Sequence, residues 1–149
     1  VPGARMPDAA FGGYTPEQAR AWYKSLDDSA MTTVLFLGLL DIFGIIPSYT
    51  LLLGSQLAAS GCPDLLCYVP LWTASFDLIE SLTHFSAVLG RYLSNPNKND
   101  SVWSPSSFHL VIASGATQFK AMTLTLTFLL VALYGLKSTP STPKPQKSS

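Results

Sequence analysis

Asp41, Asp77, Glu80 and Lys120 are the side chains of this sequence best placed for chemistry, because each lies inside a long apolar stretch. Asp41 falls about eleven residues into the first stretch, Asp77 about twelve into the second and Lys120 about twelve into the third. If the stretches span a bilayer, the three charges share one depth. A lone charge there costs about 2.5–3.5 kcal/mol on the insertion scale, so three at one level point to mutual pairing. Lys120 is the only cation well inside the spans, and the expectation is that it bridges Asp41, Asp77 or both.

Helical spacing gathers further polar groups around them. Residues three or four apart share a helix face. Gly38, Asp41, Gly44 and Ser48 form a small polar stripe on the first span. Thr73, Asp77, Glu80, Ser81 and His84 form one on the second, and Ala113, Ala116, Thr117, Lys120 and Thr127 on the third. Small residues let helices approach closely, so the stripes should converge on one interior, with Tyr49, Ser81, His84 and Thr117 as hydrogen-bond partners of the charges. Three acids then face one lysine. A low-dielectric interior favours holding the surplus carboxyl neutral, as a hydrogen-bond donor, and Glu80 has no evident cation of its own. Two readings stay open. In one, a fixed polar clasp sets helix register; in the other, an acid exchanges protons or binds a cation or headgroup.

Other chemistry finds less support. His84 and His109 would have to stand level to ligate a haem, yet the helix rise separates them by roughly 12 Å. Cys62 and Cys67 flank "PDLL" without the further ligands of a zinc site. They are expected as free thiols, with a small disulfide as the alternative in an oxidising compartment. There is no phosphate-binding glycine loop, no G-x-S-x-G and no H-E-x-x-H. No enzyme activity, metal or cofactor is expected.

The elements that must position these residues follow from composition. Of 149 residues only 12% are charged, while 48% are hydrophobic. That is about half the charge of an ordinary soluble domain. Acids and bases balance at nine each, leaving no electrostatic footprint for nucleic acid. The charges cluster at the ends and in one loop, and three spans of about 30–57, 65–93 and 108–136 separate them. Each exceeds the roughly 20 residues needed to cross a bilayer. Pro47 should kink the first span and Pro70 the start of the second.

Before them, "YTPEQARAWYKSL" carries a helix start, with Thr15 as N-cap, Pro16 at the first position and Gln18 completing a capping box. Ala19, Trp22, Tyr23 and Leu26 share an apolar face. Such a helix suits the membrane interface, or packs on a partner. Residues 1–14 read as an extended arm and 137–149 as a disordered tail. The start at Val1 reads as a processed terminus. Arg5, Arg20, Lys24, Arg91 and Lys98 fall on one side of a three-span topology, favouring the N-terminus inside. Asn99-Asp100-Ser101 matches a glycosylation sequon, in a loop that this topology places inside.

The pattern resembles a family of small, uncharacterised multi-pass membrane proteins of bacteria and eukaryotes. In that family an aromatic N-terminal helix precedes an intramembrane Asp with an aromatic and a Tyr, then L-P, F-D-x-x-E-N and A-S…T-x-x-K. Here the matches are "YTPEQARAWYKSL", Asp41 with Phe43 and Tyr49, "VP" at Val69 and Pro70, "FDLIES" at 76–81 and "ASGATQFK" at 113–120. Ser81 stands where the family has Asn. The resemblance covers about 14–136 and implies a shared helical architecture and polar clasp, with no activity attached.

The expectation is thus an all-α integral membrane protein, with three transmembrane helices behind a short amphipathic interfacial helix. As function it points to a structural or accessory subunit whose partners are membrane lipids and other subunits of a larger complex. The setting is most simply the mitochondrial inner membrane. The alternative is a small proton- or ion-linked carrier using the intramembrane carboxylates.

Overall fold

A computed structural model describes residues 12–94 and 105–137, which hold helices and no strand. Helix α1 (Pro16–Ser25) leads into α2 (Asp28–Leu40), a π-helical turn (Asp41–Ile45), α3 (Ile46–Ala59), the single turn α4 (Asp64–Cys67), α5 (Val69–Leu93) and α6 (Ser107–Lys137). Three helical stretches are long and apolar enough to cross a membrane, over Asp28–Ala59, Asp64–Leu93 and Ser107–Gly135. Their outward faces carry Phe36, Phe43, Leu51, Leu71, Phe119, Met122 and Phe128, all more than half exposed. Water would penalise an apolar surface of that extent, whereas lipid matches it. The chain is therefore an all-α integral membrane protein.

The helix starts follow local chemistry. Thr15 Oγ1 accepts from the Gln18 amide while the Gln18 side chain accepts from the Thr15 amide, which completes the expected capping box of α1. Asp27 caps α2 through the Ala30 amide. Many hydroxyls of the spans donate back to a carbonyl one turn earlier, including those of Thr50, Ser75, Thr83, Thr123, Thr125 and Thr127. That satisfies them inside hydrocarbon without a partner helix.

The first span departs from a simple kinked helix. Pro47 lacks an amide, and its ring would strike the carbonyl of Phe43 in an unbroken α-helix. Instead the backbone widens by one residue just before it, and the Ile46 amide reaches back five residues to the Asp41 carbonyl. The inserted residue shifts the facing stripe. Met31 and Gly38 on α2 and Asp41 at the start of the π turn face inward, and five residues later the series resumes at Ile46, Tyr49, Leu53 and Leu57. Ser48, expected on the inner face, is consequently exposed, and Tyr49 takes its place. In the second span the break falls at Tyr68, between α4 and α5, with Pro70 in the first turn of α5 where a missing amide costs little.

α5 is the central element, packed along α6 and against α2 and α3. Two apolar clusters close the bundle at its ends. One joins Tyr14, Ala19, Trp22 and Tyr23 to Met31, Val88, Leu110 and Ala113; the other joins Leu57 and Cys62 to Leu130. α1 thus turns its aromatic face onto its own bundle, with Ala19 and Tyr23 fully buried, and not towards lipid or a partner. The charges lie in the layer between the clusters. Of the expected arm only residues 12–14 are described, and the sequon and the tail beyond 137 lie outside the described residues.

Candidate functional site: an intramembrane polar layer

Lys120 on α6 forms the centre. Its Nζ lies 2.6 Å from Glu80 Oε2 and 2.9 Å from Asp77 Oδ1, so one ammonium closes on two carboxylates of neighbouring α5 turns. Asp77 and Glu80 can share it because three residues advance a helix by less than one turn. Thr117, one turn before Lys120, places its one hydroxyl proton between Glu80 Oε1 and the Ala113 carbonyl of its own helix, both within hydrogen-bond reach. Tyr49 on α3 donates to Asp77 Oδ2 at 3.0 Å. Glu80 is almost completely enclosed, its side chain 1% exposed, whereas Lys120 keeps 22%.

This differs from the sequence expectation in one respect. Lys120 was expected to bridge Asp41, Asp77 or both; it takes Asp77 and Glu80. Glu80, expected to lack a cation, holds the shortest ion pair of the layer among the described residues. Asp41 is instead served by Ser81, whose hydroxyl donates to Oδ2. Ser81 lies one residue beyond Glu80 on the α5 face turned to α2, whereas Glu80 is turned to α6. The acids lie on the first span and on α5, and the lysine of α6 pairs with the two on α5.

His84 is buried at the end of the same stripe, where two phenols hold it. Tyr23 Oη meets Nδ1, and Tyr14 Oη meets Nε2 at 3.0 Å. A neutral imidazole has one N–H donor and one bare nitrogen, so one tyrosine accepts and the other donates. With both nitrogens engaged, His84 offers none to iron, and His109 is exposed at the start of α6 with Nδ1 on the Ser106 hydroxyl. The stripe positions foretold His84 as polar and inward. They did not foretell its partners, because the Tyr14 and Tyr23 rings come from the segment before the spans. That segment is fastened elsewhere too: the Tyr14 amide donates to Ser114 Oγ at 2.9 Å, Gln118 Nε2 to the Gly12 carbonyl at 3.0 Å, and Arg20 Nη2 to Ser107 Oγ at 2.6 Å.

A cavity of about 280 Å³ opens beside the clasp. Asp41, Asp77, Ser81, His84 and Lys120 are its polar lining, and Trp22, Val34, Leu37, Ile45 and Phe85 its apolar lining. It lies where α2 runs against α5 while α3, beyond the π turn, reaches α6. Gly38 sets the closest approach of α2, since a Cβ there would come within 3.1 Å of the Phe85 ring.

Cys62 and Cys67 are free thiols. The disulfide that the sequence admitted is not formed; across the single turn of α4, Cys67 Sγ donates to the Cys62 carbonyl at 3.5 Å instead. Burial, with the neighbouring Cys67 thiol, pushes the Cys62 thiol above its ordinary range. Among the described residues no group of three or more His, Cys, Asp or Glu could hold a metal.

The arrangement can lock three helices together, and it presents one carboxylate outside the lysine bridge to a cavity. No family model, no curated protein and no solved structure matches the chain.

Proposed function

We propose that the chain is a structural or accessory subunit of a larger membrane assembly, with no catalytic step of its own. The observation that supports this is the Lys120 bridge: the strongest charges of the interior are spent on one another, joining α5 to α6, while Tyr49 ties α3 to the same carboxylate. A rigid core of that kind leaves the broad apolar exterior for lipid and neighbouring subunits. The setting we assign is an organellar membrane, most simply the mitochondrial inner membrane, on the Ser/Thr/Pro/Lys composition of the tail. The polar clasp is also what the resemblance to the small multi-pass family implies. Mild-detergent extraction followed by native-gel sizing tests the reading. Co-migration with a large complex supports it, and a free species of this chain's own size contradicts it.

The cavity favours a second reading, a small proton- or ion-linked carrier. In that case Asp41 and Asp77, which line the cavity, carry the mechanism together with Glu80 behind them. Glu80→Gln then abolishes flux in proteoliposomes while assembly is unchanged. Flux persisting in that variant removes Glu80 from the mechanism.

A further inference from the structure

The cavity joins an unbridged carboxylate to an apolar wall. Lys120 is closed between Asp77 and Glu80, and among the described residues the Asp41 side chain takes one hydrogen bond, from Ser81. A carboxylate offers about four acceptor positions, so most of Asp41's capacity is left to whatever fills the space. The rest of the lining is largely apolar, with the Trp22 and Phe85 rings and the side chains of Val34 and Leu37. The volume of about 280 Å³ falls just below the about 300–1,000 Å³ range of drug-sized ligand cavities, which suits a smaller occupant. Leu37 and Ile45, 46% and 51% exposed, stand at its rim and turn its mouth towards the bilayer.

Charge and shape together narrow the occupant. Water would serve Asp41 and leave the aromatic wall wetted; a lipid chain would cover that wall and leave the carboxylate against methylenes. An anion would need Lys120, whose ammonium is already held by two acids. Three carboxyl groups share the layer with one lysine that already serves two of them, so Asp41 has no cation of its own and an incoming ammonium supplies one. We propose that this cavity binds a small organic cation, a single ammonium on a compact apolar body, its nitrogen on Asp41 and its body against Trp22 and Phe85. The proposal goes beyond the accessory reading and does not depend on it.

The test is equilibrium binding to the full chain in nanodiscs. Trp72→Phe and Trp103→Phe leave Trp22, on the cavity wall, as the sole tryptophan and reporter. Phenethylamine is the probe, phenethyl alcohol its neutral counterpart, and empty discs correct for partition into lipid. The amine should give a saturable change in Trp22 fluorescence and the alcohol a much weaker one. Asp41→Asn should weaken the amine about thirtyfold or more, as loss of one partner of a buried charge pair does. Val34→Phe, which fills the space from its apolar lining, should also weaken it and touches no charge. No saturable response to the amine overturns the proposal, as does an equal response to the alcohol. Wild-type affinity in a folded Asp41→Asn variant does so too. Should Asp41→Asn fail to fold, undiminished amine binding by Val34→Phe decides against it.

Discussion

Thr117 and Tyr49 hold the clasp from its flanks, and their loss should differ in size. Thr117 serves an enclosed carboxylate oxygen, so Thr117→Val strips a hydrogen bond from a charge that water cannot reach. About 1–3 kcal/mol of stability should be lost, read as a lower unfolding midpoint in mixed-micelle titration. At the loop end, the two thiols should separate in maleimide labelling. Cys67 is only half-buried, whereas Cys62 is enclosed and its burial holds the thiolate back. Cys67 should label first, and equal rates would show Cys62 to be open. Much at this scale was legible from spacing. The inward polar stripe of α5 holds from Thr73 to His84, because seven-residue steps keep one face in a regular helix. The pairing was less legible. Asp41 and Asp77 have the same depth, and nothing in depth alone says which of them a lysine on a third helix can reach.

The π turn decides register at the scale of the element. An unbroken α-helix from Asp41 would carry Ser48 inward, and the inserted residue carries Tyr49 instead. Two substitutions separate these outcomes. Tyr49→Phe should cost about 1 kcal/mol, the usual net worth of one hydrogen bond, or somewhat more because its partner is charged. Ser48→Ala, at an exposed position, should cost nothing measurable. Unfolding midpoints of the pair check it, and the reverse order would mean that the span has no insertion. Pro47 pointed to a distortion in the sequence, but not to its form: a proline can be met by a kink or by a widened turn, and the choice depends on what the following residues must face. Gly38 is the other element-scale position. A larger residue there presses on Phe85, so Gly38→Leu should push α2 off α5 and lower stability more than Gly38→Ala.

The whole molecule is two apolar clusters with a charged layer between them, and each part constrains the others. Helix α6, about 46 Å long by its rise, extends past the about 30 Å of hydrocarbon, so its ends can reach the apolar clusters and loops while Lys120 stays deep. Three spans and their limits were readable from composition because lipid selects for uninterrupted apolar stretches. The docking of α1 was not. An amphipathic helix with aromatics fits a membrane surface and a bundle equally well, and the Tyr14 and Tyr23 contacts with His84, from residues about 60–70 positions away, help settle which face it meets. α1 and the residues before it thus close the end of the bundle that holds the cavity.

All of this hangs on Lys120. Removing its charge by Lys120→Met strands two neighbouring carboxylates, one of them fully enclosed, and breaking a buried pair in this way costs about 3–5 kcal/mol. The clasp therefore requires the variant to lose most of its resistance in unfolding titrations of the purified chain. The exchange Asp77→Lys with Lys120→Glu should restore part of that loss, because a cation again lies between helices beside Glu80. Lys120→Met unfolding at the wild-type midpoint would show that the interior charges do not hold the helices together.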